Sequence, residues 1–301
     1  MIPILFAMPG NEAFALHLDR AMSCEVGQME TRRFPDGESY IRLLSPVRDR
    51  DVVFVCTLDH PDEKMVSLYL AARIARELGA RRVGLIAPYL AYMRQDARFR
   101  DGEGVTSAHF ASFVSDFCDW LVTVDPHLHR HHRLNEIYSI PTKAVRAAPH
   151  IGEWIAANIE QPVIVGPDAE SEQWAAKVAK SVGCPYVVLN KVRKGDGEVE
   201  VSAADGAGWQ GGTPVLVDDI ASTAHTMIAA VEKLKAAGLP APVCIAVHPI
   251  FAGKAYEELQ AAGAARIVSC NTIAHASNGI DISEEVAVAA VELMAILPIE
   301  I

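Results

Sequence analysis

Hydrophobic positions along the chain fall into two alternating kinds of segment. Short runs rich in Val and Ile, bounded by turn residues, recur at Ile2–Ala7, Val52–Thr57, Arg82–Ala87, Trp120–Val124, Pro162–Val165, Tyr186–Leu189, Val215–Val217, Val243–Val247 and Arg266–Ser269. Continuous apolar runs of this length read as strands buried on both faces. Between many of them lie stretches of 3.6-residue periodicity: Glu63–Leu78, Ser107–Phe117, Ile151–Ile159, Glu172–Val182, Thr223–Ala237 and Ser283–Leu297. These bury one stripe each and read as amphipathic helices. Buried strands alternating with such helices predict an α/β fold with mainly parallel, doubly wound sheets. The pattern runs twice, about a break at Ile140–Pro149 that carries Pro141 and Pro149 at its ends. Two similar domains are therefore expected, 1–143 and 144–301, each of ordinary size. Three long polar segments without strand character interrupt the pattern: Pro88–Thr106, Pro126–Tyr138 and Asn190–Gly212. Long loops inside an otherwise compact α/β pattern are usually functional.

Composition narrows the function classes. Of 301 residues, 50% are hydrophobic and 22% charged, which is a soluble globular profile able to build real cores. A net charge of −11 argues against a general nucleic-acid binder, since that role needs a basic face. It leaves room for an anionic substrate, because phosphate sites are built locally from backbone N–H groups, a few cations and metal ions. The start, MIPILFAMPGNE, has no basic leader and reaches Gly10, Asn11 and Glu12 too soon for a signal peptide or a membrane span. Cys24, Cys56, Cys118, Cys184, Cys244 and Cys270 are scattered, with no C-x-x-C pair, and read as free thiols of a cytoplasmic protein.

The segment VLVDDIASTAHT (Val215–Thr226) carries the clearest chemistry. A buried strand runs into Asp218 and Asp219, and a short turn then opens a helix with Ser222, Thr223 and Thr226 at its start. In open α/β sheets ligands bind outside the carboxyl ends of strands, where a helix N-terminus offers free N–H groups and a positive dipole to an anion. Paired carboxylates at that edge suit ribose hydroxyls or a hard cation. Alone, Ser222 or Thr223 would equally serve as a helix cap beside two solvated aspartates. Strand, D-D and S-T-x-x-T in series favour the ligand site.

Other segments add donors and ligands. Arg94, Gln95 and Arg98 place two guanidinium groups and an amide in one long loop, a set suited to a polyphosphate. His127 follows Asp125 at a strand end, and a single histidine there is more often structural than a ligand. The run His129, His131 and His132 reads as a basic, pH-sensitive rim rather than a zinc site, for want of a second ligand cluster. Lys191 and Arg193 open a charged, glycine-rich stretch. FPDGE (Phe34–Glu38) reads as an ordinary turn between two strands.

Together these segments resemble the ribose-phosphate diphosphokinases. VLVDDIASTAHT is similar to the phosphoribosyl-pyrophosphate (PRPP) motif that family shares with type I phosphoribosyltransferases; FPDGE, PYLAYMRQDARF (Pro88–Phe99), VDPHLH (Val124–His129) and GPD (Gly166–Asp168) resemble four further family segments, in family order. The resemblance implies two domains of the type I phosphoribosyltransferase kind and a reaction of ATP with ribose 5-phosphate. It assigns ATP to Phe34, Asp36, Glu38, Arg94, Gln95 and Arg98, and ribose 5-phosphate to Asp218, Asp219, Ser222, Thr223, Ala224, His225 and Thr226. It gives Mg²⁺ to His127 and Asp168, and places Lys191 and Arg193 as catalytic cations on a closing flap. It also implies a homo-oligomer in which the Phe34–Glu38 loop reaches a neighbouring subunit's site. His225 stands where relatives usually have glycine, Ser222 where many have aspartate, and Gly102 about where many have a further arginine. Two rival readings share the acidic motif: a phosphoribosyltransferase, which lacks R-Q-D and the paired metal segments, and a non-catalytic regulatory homologue.

Overall fold

The computed structural model describes residues 2–128, 130–168, 171–189 and 211–296. They form two compact units, one running to Val145 and resuming at Ser283, the other spanning Arg146–Ile282.

In the first unit the chain runs through β1 (Ile4–Ala7), α1 (Glu12–Met22), β2 (Glu25–Val26), β3 (Met29–Arg33), β4 (Ser39–Leu43), β5 (Asp51–Val55), α2 (Pro61–Glu77), β6 (Arg82–Ala87), α3 (Thr106–Ser115), β7 (Trp120–Val124) and β8 (Thr142–Val145). A six-stranded parallel sheet of order β2-β1-β5-β6-β7-β8 forms its centre, and β3 and β4 make a separate antiparallel hairpin. Every residue of β5 and of β7 is buried, and apart from Asp51 and Thr123 all of them are apolar. At the start of β5, Asp51 is 4% exposed and takes two-pronged hydrogen bonds from both Arg81 and Arg82 at 2.7–2.9 Å. Gly84 on β6 lies beside Trp120 on β7, and a Cβ there would sit 2.0 Å from the indole.

The second unit contains α4 (Ala148–Asn158), β9 (Pro162–Gly166), α5 (Glu172–Val182), β10 (Tyr186–Val188), β11 (Thr213–Ala221), α6 (His225–Ala236), β12 (Val243–Pro249), α7 (Ala255–Ala262), β13 (Arg266–Cys270) and β14 (Asn278–Ile280). Its parallel sheet has the order β10-β9-β11-β12-β13-β14, the same winding as the first. The expected fold class, two similar doubly wound domains, is what the chain adopts.

Three features differ from the sequence reading. The closing helix α8 (Ser283–Ile296), expected in a 144–301 domain, clusters with the first unit. It packs against α1, β7 and β8, Lys143 pairs with Glu292, and Arg82 Nη1 donates to the Met294 carbonyl at 3.2 Å. Helix α8 is apolar around most of its girth, so its sequence says that it is covered without saying by which unit. Strand β8 lies inside the expected break at Ile140–Pro149, because a four-residue, half-exposed edge strand carries little apolar signal. Helices α1 and α7, of 11 and 8 residues, had no counterpart in the sequence reading.

Candidate functional site

At the carboxyl ends of β9 and β11 the second unit gathers three carboxylates and a helix N-terminus. Gly166 ends β9, and a Cβ there would lie 2.7 Å from Ser171 Oγ, so glycine lets Ser171 approach the strand end. Ser171 Oγ donates to the Asp168 carbonyl at 2.6 Å, and Asp168 Oδ1 accepts from Ser171 N at 3.0 Å. Ser171, a positioning residue missed in the sequence, is signalled there only by the D-x-x-S spacing of a local side-chain turn.

Strand β11 reaches further than Val217, the expected end. It continues to Ala221, with Asp218 opposite Ala246 and Ile220 opposite His248 on β12. The two carboxylates therefore belong to the strand, held by the neighbouring β12, rather than to the loop beyond it. Asp218 Oδ1 accepts from Asp219 N at 3.0 Å. Burial pushes the Asp218 carboxyl well above the usual carboxylate range, and the charges of Asp219 and Asp168 push the same way. Three acids whose fields reinforce one another make a strong pull for a cation.

Past the strand, Ser222 O accepts from Ala252 N at 2.9 Å, fixing the turn that holds Ser222 and Thr223. Helix α6 starts at His225, two residues later than expected, and Ala224 caps it in the left-handed region at φ 54°. A methyl-bearing residue in that conformation is strained by roughly 1–2 kcal/mol, a pattern found at ligand-binding turns. The side chains of His225 and Thr226 are exposed on the first turn, and no side chain caps the helix. Its leading N–H groups thus face the place where an anion would rest. The need for left-handed backbone falls on Ala224, so His225 fits as an ordinary helical residue where glycine is usual.

In the first unit the remaining candidates occupy three loops. FPDGE is the tip of the β3–β4 hairpin, as expected of a turn between strands. Phe34 N donates to Glu38 O at 2.8 Å, Gly37 at φ 95° turns the chain, and Phe34, Asp36 and Glu38 are all exposed. Arg32 lies 4.6 Å from the centre of the Phe34 ring, holding the ring from one side. In the 88–105 loop, Arg94 and Arg98 are exposed, and Gln95 Oε1 accepts from the Thr106 hydroxyl at the start of α3. The Asp of R-Q-D does not point to solvent. Asp96 is 9% exposed and accepts from Arg130 at 2.5 Å, so it anchors the loop while its neighbours reach outward.

His127 follows β7, with Asp125 and His127 both at φ 32° and His127 N donating to Asp125 O at 2.8 Å. Two non-glycine residues of that kind two positions apart mark a tightly shaped turn. His131 Nδ1 lies 3.3 Å from Glu136 Oε2, a contact that serves the loop. Lys191, Arg193 and His129 lie outside the described residues. Among the described residues no three His, Cys, Asp or Glu side chains form a ready-made metal cage. His127 belongs to the first unit and Asp168 to the second. No helix among the described residues is long and apolar enough to cross a membrane.

Two open parallel sheets, one presenting carboxylates and a helix N-terminus at its carboxyl edge, define a doubly wound α/β protein with a ligand site beyond its strand ends. Comparison with known proteins is more specific. Residues 3–117 match the N-terminal domain of ribose phosphate pyrophosphokinase, and residues 134–285 match the phosphoribosyl transferase domain. Ribose-phosphate pyrophosphokinase of Saccharolobus solfataricus is 34% identical over 85% of this chain and 88% of its own length. That of Methanopyrus kandleri is 34% identical over 94% and 97%. A crystal structure of phosphoribosylpyrophosphate synthetase from Mycobacterium smegmatis shares the fold at a TM-score of 0.84, with 23% identity over 98% of this chain and 99% of that one. The chain belongs to the ribose-phosphate pyrophosphokinase family.

Proposed function

We propose that the chain transfers the diphosphoryl group of Mg-ATP to the C1 hydroxyl of ribose 5-phosphate, giving PRPP and AMP. The observation that carries this reading is the acidic crevice of the second unit, where Asp168, Asp218 and Asp219 stand beside the uncapped start of α6. Ribose 5-phosphate would rest its phosphate on the N–H groups and hydroxyls of Ser222–Thr226, and its ring hydroxyls against Asp218 and Asp219. Both halves of that arrangement suit a phosphorylated sugar: donors at one end, acceptors at the other.

ATP would be held by groups that the first unit leaves accessible. Phe34 offers a stacking face at 39% exposure, with Asp36 and Glu38 beside it to accept from the exocyclic amine. Arg94 and Arg98 would take phosphate oxygens, and Gln95 would join them by turning from Thr106. An exposed aromatic hairpin tip also supports a homo-oligomer in which this loop serves a neighbouring subunit.

His127 and Asp168 are the proposed magnesium ligands. One or two protein ligands suffice when substrate phosphates and waters complete the octahedron, and the oxygen-rich acidic crevice fits a hard cation. Bound magnesium would neutralise phosphate charge during the transfer. Lys191 and Arg193 are the proposed flap cations, stabilising charge that shifts toward the leaving AMP. The residues position and screen the reactants, and no covalent intermediate is needed. Replacing both flap cations by alanine should lower turnover far more than substrate affinity.

The deciding experiment is incubation of the protein with ribose 5-phosphate, Mg²⁺ and ATP, followed by assay of PRPP and AMP. Equimolar PRPP and AMP are expected. No AMP with any divalent metal or nucleotide donor would overturn the proposal.

A further inference from the structure

The first unit has a crevice at the place in its sheet where the second unit has its acidic site. In the second unit β9 is flanked by β10 on one side and β11 on the other; in the first, β1 is flanked by β2 and β5. The loops leaving the central pair diverge in both cases, and such switch points open a pocket beyond the strand ends. The first unit's pocket has a volume of 310 Å³, the lower end of the usual range for a small-molecule site. Met8 and Cys56, just beyond β1 and β5, lie on its floor, and the β3–β4 hairpin and α2 form its walls.

The chemistry of this pocket is opposite to that of its counterpart. No carboxylate follows β1 or β5 at the pocket floor, and Arg33, Arg32 and Lys64 line it with Glu63 as the single acid. Lys64 is neutralised by Asp59. Arg33 is held differently: it donates to the carbonyls of Gly37 at 3.1 Å and Glu63 at 2.7 Å, so its position is set while its charge stays available to a ligand. Thr31 and Ser67 line the same walls, and the Ser67 hydroxyl shares a hydrogen bond with that of Ser39 at 2.7 Å.

We infer that this crevice is a second small-molecule site, taking a metabolite with a phosphate or carboxylate group on a compact body and holding it without a divalent cation. Guanidinium groups meet the oxyanion directly and with a full charge, whereas the carboxylates Asp168, Asp218 and Asp219 could do so only through a cation. Arg33 also fastens the hairpin tip through Gly37, so occupancy should stiffen the Phe34–Glu38 turn. That consequence for ATP rests on the function proposed above. Binding itself does not.

The test uses the full chain with labelled Met and Ile methyl groups, in EDTA, titrated separately with inorganic phosphate, ribose 5-phosphate and citrate. Saturable shifts at the Met8 and Ile41 methyls are expected with at least one of them, and which probe acts distinguishes phosphate from carboxylate. The shifts should persist in Asp218→Asn and disappear in Arg33→Gln. They should also disappear in Ser67→Leu, which fills the cavity without altering its charge. Absence of shifts up to about 10 mM ligand, tenfold above a Kd of about 1 mM, would overturn the inference. So would shifts that vanish in Asp218→Asn, or that survive in both pocket variants.

Discussion

Replacing Asp51 by asparagine tests whether charge pairing or mere packing holds β5 and β6 at the start of the first sheet. Burial alone would push the Asp51 carboxyl up, but hydrogen bonds from Arg82 and then Arg81 overcome it and hold it at about 2, against a usual 3.8. A fall of that size corresponds to about 2.5 kcal/mol. Solvent reaches both guanidiniums, at 25% and 12% exposure, and that screening trims the figure to roughly 1–2 kcal/mol. Asparagine keeps one acceptor but turns an amide toward two donor forks, which costs about 1–2 kcal/mol more in unmatched hydrogen bonds. The expected loss at pH 7 is therefore about 2–4 kcal/mol. Because the folded pKa lies below the unfolded one, the charge contribution is complete above pH ~4 and is lost as pH falls through about 2. Roughly half of it has gone by pH 3, so the gap between wild type and variant should narrow there by roughly 0.5–1 kcal/mol. Hydrogen exchange of the β5 and β6 amides at both pH values reads the effect in the right sheet, and α8 amides should report it too through the Arg82 contact with Met294. A difference that is the same at pH 7 and pH 3 would refute the electrostatic account.

Three further outcomes follow from the same structure. Gly84→Ala drives a Cβ into fully packed Trp120, so stability should fall by about 1–3 kcal/mol in urea unfolding, and a loss under about 0.5 kcal/mol would contradict the packing argument. The Asp218 carboxyl is raised, so without a cation it becomes a growing burden as pH climbs above the unfolded value near 3.9. Asp218→Asn should thus unfold at a higher temperature than wild type in EDTA at pH 7 and at nearly the same temperature at pH 4, while losing ribose 5-phosphate binding; a less stable variant at pH 7 would refute this. His225→Gly should leave the KM for ribose 5-phosphate within about twofold, as for other exposed substitutions, because Ala224 bears the left-handed turn. A rise above about tenfold would make His225 a phosphate donor in its own right.

The buried strand runs announced the sheets, because a strand covered on both faces is apolar at nearly every position and few other elements are. Strands β5, β6, β7, β9 and β12 were legible for that reason. So was the chemistry of Val215–Thr226, where acids, hydroxyls and a helix start follow one another within 12 residues. What escaped was whatever depends on partners distant in the chain. Nothing local marks Asp96 as buried, yet it is 9% exposed and accepts a hydrogen bond from Arg130, 34 residues on. The end of β11 is set by pairing of Ile220 and Ala221 with β12, which no local pattern encodes. Helix α8 follows the second unit in sequence yet completes the first, because an apolar helix demands a surface without naming one. Periodicity and residue order thus determined the buried strands and most of the helices, the fold class and the candidate chemistry. Only the tertiary structure decided which acids share a field, which arginine is anchored by a carbonyl and which by a carboxylate, and where a second crevice opens, since burial and electrostatic coupling are properties of distances that a linear chain does not contain.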